Sequence, residues 1–240
     1  MLELKNTIEN KIGFKTFKTY ANDINNVKNL IQKSFSKTLS KNKINDCIID
    51  NYHKLNIKNT LHKKIWTRKN RIASTELINY LKNESHIFKI LKKEFGELEF
   101  SQKVDAKKPD SYWRLVRPNQ KDDVGSIHAD EWFWIANNWR VPSKNKKLLK
   151  IWILLSNNLN KGLSVIPNSH KKKDWIYKKV YQDGIFKPKF NEKKNIYKIK
   201  PLTTPKGKIL VFNYGLLHSG LINKSNETRI SLEFTLYYKG

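Results

Sequence analysis

The sequence predicts a mainly β protein of the sandwich or jelly-roll kind, with helices gathered toward its N-terminal end. Three observations lead there. Apolar residues recur at helical spacing only before Gly96. After it they fall into short β-branched and aromatic runs separated by Pro, Gly and Asn. At 240 residues the chain suits one well-packed core. One domain over 1–240 is therefore expected, with 1–96 as a mostly helical layer and 97–240 as the strand-rich core.

Taken in order, the first helix is read from Asn22 to Lys37, where Ile24, Val27, Leu30, Ile31 and Phe35 share one face. Ile44, Cys47, Ile48 and Tyr52 repeat that spacing between Ile44 and Leu55. Ser74 precedes Thr75-Glu76-Leu77 and offers an oxygen to the unpaired N–H groups of a helix start, with Leu77, Ile78 and Leu81 as the apolar face. The next helix, Glu84 to Phe95, uses Ile87, Phe88, Ile90 and Leu91 and stops at Gly96. Strands follow at Glu97–Gln102, Tyr112–Arg117, Leu148–Ser156, Leu163–Pro167, Ile209–Asn213 and Arg229–Tyr238. Residues 171–200 are Lys-rich and broken by Gly184 and Pro188, and read as an insertion over one mouth of the barrel, a lid or binding loop.

Composition narrows the partners. A net charge of +27 would ordinarily direct attention to nucleic acid or an anionic membrane. Only six of the 48 basic residues are arginine, however, and Asn and Ile are abundant, the bias expected of an AT-rich coding sequence. The lysines are scattered, no nucleic-acid-binding motif accompanies them, and the charge reads as a solvated surface. Apolar runs such as Ile151–Leu155 are too short to span a bilayer, and no signal-peptide pattern opens the chain, so a cytoplasmic protein is expected. The lone cysteine, Cys47, excludes an internal disulfide and reads as a small apolar residue on a helix. Against the lysine background, Arg114, Arg117, Arg140 and Arg229 stand out as candidates for carboxylate binding or cation–π stacking, because lysine cannot copy the guanidinium fork. Arg68 and Arg71 read as helix-surface residues.

The chemistry is announced by His128-Ala129-Asp130, with His218 downstream and Arg229 eleven residues beyond it. Two imidazoles and a carboxylate hold ferrous iron on one face of its octahedron and leave three positions for a chelating co-substrate and O2. The one-residue gap matters because strand side chains two apart project the same way, so His128 and Asp130 can grip one ion, with His218 from a neighbouring strand. An aspartate, rather than Ala or Gly, leaves no vacancy for chloride and favours hydroxylation or desaturation over halogenation.

Gly162-Leu163-Ser164-Val165-Ile166-Pro167-Asn168-Ser169-His170-Lys171 resembles a segment of the phytanoyl-CoA dioxygenase family of non-haem iron, 2-oxoglutarate-dependent oxygenases. Asn168 replaces the family's commoner Gly, and both tolerate a left-handed turn. The resemblance runs from about residue 97 to 240, and the first hundred residues have no comparable motif. It implies a double-stranded β-helix core, Fe(II) bound by His128, Asp130 and His218, and 2-oxoglutarate and O2 as co-substrates. It also implies that Arg229 anchors the distal carboxylate, with Ser231 facing the same way, that Trp152 lines the co-substrate pocket or fills the core, and that Arg114 or Tyr112 lends it polar contacts. His170 then supports a turn, since three protein ligands suffice.

Trp132, Trp134 and Arg140 follow the aspartate closely and are read as candidate substrate contacts, with a hydrophobic wall that excludes water as the alternative. The expected function is hydroxylation of a small or medium-sized metabolite, anionic or carbohydrate-like. Two rivals are a nucleic-acid oxygenase and a non-catalytic cupin-like binding protein. Repair demethylases of the first kind have a second arginine where this chain has Thr235, and the complete ligand set argues against the second.

Overall fold

The computed structural model describes residues 3–102, 109–139, 145–156, 162–182, 184–191 and 197–240. Its N-terminal part comprises α1 (Glu3–Glu9), β1 (Phe14–Lys18), α2 (Ala21–Lys41), a 3-10 stretch (Ile49–Leu55), α3 (Asn59–Ile65), α4 (Thr75–Asn83) and α5 (His86–Phe95). The α2 face of Ile24, Val27, Ile31, Phe35 and Leu39 is fully buried. Ser74 caps α4 by accepting from the Leu77 N–H at 3.2 Å, and Ser85 does the same for α5 with Phe88 at 3.3 Å. Gly96, at φ +78°, ends α5 in a conformation open chiefly to glycine.

The helix expected over Ile44–Leu55 forms only the 3-10 turn at its end. Gln32 accounts for the difference: its amide donates to the Cys47 carbonyl and accepts from the Ile49 N–H, so a side chain satisfies backbone groups that a helix would have paired.

The remaining elements are β2 (Leu98–Phe100), β3 (Ser111–Val116), α6 (Asp130–Ala136), β4 (Lys146–Leu154), β5 (Leu163–Val165), β6 (Tyr177–Gln182), β7 (Ile185–Phe190), β8 (Lys200–Leu202), β9 (Lys208–Asn213), β10 (His218–Gly220) and β11 (Arg229–Lys239). The main antiparallel sheet runs β1-β9-β4-β11-β2, with β3 also paired to β11. Because β1 lies in this sheet, the N-terminal segment is woven into the core and is not helical throughout.

Alternation along the strands divides the sheet's two faces. Ile230, Leu232, Phe234 and Leu236 of β11 and Leu149, Ile151 and Ile153 of β4 are fully buried against the helices. Each such side chain stabilises the fold by about 1.5–3 kcal/mol relative to exposure. The opposite face meets a three-stranded sheet, β10-β5-β8, across a second core formed by Phe14, Trp152, Leu154, Val165, Leu210 and Phe212 among others. The described strands make two facing sheets, a jelly-roll arrangement open at its edges rather than a closed barrel. The expected insertion contains a β6–β7 hairpin.

Helices and sheet are also tied by a buried polar knot. Arg117 makes a two-pronged pair with Asp123 at 2.8–2.9 Å and donates to the Ile57 carbonyl and to Asn59, so it is a structural arginine. His62 bonds the Tyr52 hydroxyl at 3.0 Å and lies 3.6 Å from Asp123. Among the described residues, no helix is long and apolar enough to cross a membrane.

Candidate metal centre

His128 and His218 face each other across a two-residue antiparallel bridge in which each N–H donates to the other's carbonyl, at 3.0 and 2.9 Å. Their rings lie 4.5 Å apart. Asp130 is not on a strand, as the spacing suggested, but is the first residue of α6. The side-chain alternation survives because Ala129 between them is extended, at φ −102° and ψ 144°. One ligand atom from each of His128, Asp130 and His218 lies within 4.8 Å of the other two.

Tautomers follow from the second nitrogens. His128 Nδ1 is 2.7 Å from the Ser126 carbonyl and His218 Nδ1 is 3.0 Å from the Leu216 carbonyl. A carbonyl only accepts, so each Nδ1 holds the proton and each Nε2 turns a lone pair toward Asp130, at 3.9 and 4.0 Å. Burial, then the neighbouring His218, lowers the pKa of His128 to about 4, so the ring is neutral near pH 7. Burial would raise the Asp130 carboxyl, but Lys150, with Nζ 3.5 Å away, and the two histidines outweigh it and hold the group below its ordinary range. Asp130 Oδ2 is buried with no hydrogen-bond partner among the described residues, an arrangement that a bound cation would relieve. Two imidazole nitrogens and a carboxylate oxygen fit ferrous iron.

The strand face beneath the triad is polar. Arg229, Ser231, Glu233 and Thr235 project from β11 toward it, alternating with the apolar residues that face the helices. Arg229 is 3% exposed, and burial lowers its pKa to about 10. Ser231 lies opposite Arg114 of β3 and Leu154 of β4. Arg114 donates to Glu233 Oε1 from Nε at 2.9 Å and from Nη2 at 2.6 Å, so two of its three nitrogens already serve a protein carboxylate. Trp152 is buried in the inter-sheet core, where Gly162 makes room for it: a Cβ there would collide with the indole.

The aromatic residues after Asp130 pack against the protein rather than lining an open mouth. Trp132 is 3% exposed, stacks on Tyr177 of the hairpin with centroids 4.5 Å apart, and belongs to a small core with Trp175 and Ile166. Trp134 is equally buried, edge-on to Tyr214 and Trp139. Phe133, not singled out from the sequence, is the α6 aromatic that meets the triad, edge-on to His128 at 5.3 Å. Arg140 lies outside the described residues. The hairpin docks on α6, where Asn137 accepts from the Phe186 N–H at 2.8 Å and donates to its carbonyl at 2.9 Å. His170 is a packing residue whose Nε2 lies 3.1 Å from the Glu9 carbonyl, and Asn168 holds the left-handed turn at φ +65°. Lys150, Glu233 and Asp110 went unread in the sequence. For the first two the signal was alternation, a polar residue between apolar neighbours at Leu149-Lys150-Ile151 and Leu232-Glu233-Phe234, and Asp110, between Pro109 and Ser111, had none.

The sequence model of the phytanoyl-CoA dioxygenase family matches residues 16–231. No sequence among the curated proteins matches. A structure of EctD from S. alaskensis with 2-oxoglutarate and 5-hydroxyectoine superposes with a TM-score of 0.60 at 13% identity, covering 99% of this chain and 76% of that one. The non-heme monooxygenase ThoJ, in its apo form, gives 0.58 at 9% identity, over 98% and 76%. SnoK, a non-heme alpha-ketoglutarate-dependent carbocyclase from nogalamycin biosynthesis, gives 0.55 at 13%, over 98% and 83%. At these identities the likeness is one of fold.

Proposed function

The chain belongs to the phytanoyl-CoA dioxygenase family, and from that premise we propose that it hydroxylates a small or medium-sized metabolite, with His128, Asp130 and His218 holding ferrous iron. The observation that carries the reading is the grouping of two Nε2 lone pairs and a buried carboxylate within 4.8 Å of one another. Iron bound there would supply O2 activation coupled to decarboxylation of 2-oxoglutarate to succinate and CO2.

The protein's own part is to bind, orient and keep dry. Arg229, with Ser231 two residues along the same face, takes the distal carboxylate of 2-oxoglutarate, a charge-assisted pair made strong by burial. Trp152 and Leu154 form the apolar side of that pocket. Phe133 covers the edge of His128, and the Ser126 and Leu216 carbonyls fix both imidazoles in their ligating tautomer. The family's range of oxidative outcomes is reflected in its fold relatives, a monooxygenase and a carbocyclase among them. Asp130 completes the ligand set and leaves no place for chloride, which argues against halogenation and for hydroxylation or desaturation, of which we propose the first.

The test is spectroscopic. Anaerobic addition of 2-oxoglutarate to the ferrous protein should give the weak visible charge-transfer band of a chelated keto acid, and His218→Ala should abolish it. A band of full strength in that variant would remove His218 from the ligand set.

A further inference from the structure

The proposal concerns the substrate of this same site, and it rests on the reading just given. Three of the chain's six arginines, Arg68, Arg71 and Arg114, gather about β3. Arg68, read from sequence as a helix-surface residue, donates from Nε to the Tyr112 hydroxyl at 2.8 Å and lies over the Tyr112 ring at 4.7 Å. Its Nη2 is buried without a hydrogen bond, 3.8 Å from Asp110 Oδ1. Arg71 is held by the Trp66 carbonyl at 2.9 Å. It lies near enough to Arg114 that, after burial, the Arg114 charge is the largest influence lowering its pKa to about 10. Arg114 remains 44% exposed in its side chain although it stands on the inward face of the sheet, opposite Ser231. That exposure is on the face of the sheet that carries Ser231 and Glu233, opposite the face packed on the helices. Its charge reaches both His128 and Asp130.

Glu233 and Asp110 are the carboxylates of this wall, and both also answer to Lys150. Adjacent guanidiniums repel, and where a generic positive charge suffices this chain uses lysine. A cluster that keeps arginine offers forked donors suited to the planar or tetrahedral oxygens of an anion. We propose that Arg114, supported by Arg68 and Arg71, is the subsite that binds a carboxylate, phosphate or sulfate group of the primary substrate. Arg229 keeps the co-substrate. The oxidised C–H then belongs to an anionic metabolite, with its oxoanion on the β3 side of the triad.

Inorganic sulfate is the probe, titrated calorimetrically at low salt into anaerobic ferrous protein loaded with 2-oxoglutarate. One saturable site is expected, with affinity reduced about tenfold or more in the double variant Arg114→Gln, Glu233→Gln, which replaces the ion pair by neutral amides and leaves no buried charge unpaired. Arg114→Lys should recover only part, and Lys178→Gln on the hairpin surface should change nothing. Unaltered sulfate binding in the double variant overturns the proposal. So does a loss of 2-oxoglutarate affinity equal to that of Arg229→Ala, which would assign Arg114 to the co-substrate. If wild type shows no charge-transfer band, the iron and co-substrate reading fails by itself. The sulfate titration, repeated in Arg229→Ala protein so that the co-substrate anchor cannot take the anion, then still decides the subsite.

Discussion

At the scale of single residues, the site is governed by a few buried charges whose partners decide what each can do. Arg229→Ala should weaken 2-oxoglutarate binding by about 3–5 kcal/mol and leave iron binding intact, because it strands a buried carboxylate without its guanidinium. Arg229→Lys should restore only part of that affinity. Anaerobic titration of the charge-transfer band measures both, and equal affinities in wild type and Arg229→Ala would move the anchor elsewhere. Lys150 gives a second prediction. It is 5% exposed and is the cation nearest Asp130, so Lys150→Met leaves Asp130, Glu233 and Asp110 one positive charge short. The metal-free variant should lose about 3 kcal/mol or more of stability. Ferrous or zinc ions should then raise its melting temperature further than they raise that of wild type, since the metal replaces the missing charge. Equal shifts in the two proteins would show that Lys150 does not balance the site.

At the scale of elements, α6 links the metal site to the hairpin. It begins at Asp130, presents Trp132 to Tyr177 and holds Phe186 through Asn137 at its C-terminal end. Trp132→Ala should therefore cost about 3–5 kcal/mol, the usual price of emptying a buried aromatic site. Hydrogen exchange should rise across β6 and β7 before it rises in β4 or β11. Protection of the hairpin unchanged in that variant would mean that other contacts hold it. Elements with strong local signals were legible from sequence: α2 from its periodicity, α4 and α5 from periodicity and caps, and the long strands from their apolar runs. The rest were not. β8, Lys200-Pro201-Leu202, and β10, His218-Ser219-Gly220, lack the pair of apolar residues that marks the equally short β2 and β5, and β1 is a five-residue strand between two helices that forms only because β9 is there to pair with it. The hairpin was announced by Asp183-Gly184, a turn signal obscured by the lysines around it. In the candidate site, the spacing of His128, Asp130 and His218 was enough to expect the grouping that the fold makes, and arginine stood out at 229 against the lysine background. Lys150 is one lysine among many, and Arg68 comes to Tyr112 only through tertiary packing.

Over the whole molecule, the knot of Tyr52, His62, Arg117 and Asp123 joins the helical layer to the loop that follows β3. Burial, set against the attraction of Asp123, lowers His62 to about 4. This lies below the ordinary histidine value, so as pH falls the unfolded chain takes up the proton first. The stability that His62 contributes is thus complete above about pH 6.5 and is lost as pH falls toward 4, a loss of up to about 3 kcal/mol. Denaturant unfolding followed across that range should show a slope reduced by as much as one proton in His62→Gln, and an unchanged slope would place the acid sensitivity elsewhere. The reciprocal bridge between His128 and His218 has a consequence in time. Its two halves lie far apart in the chain and meet only when β10 has found its place, so the ligand set cannot assemble on a nascent or partly folded chain. An ion held by these residues would then be taken up late, on a finished scaffold, and would act as a brake on opening rather than as a seed for folding.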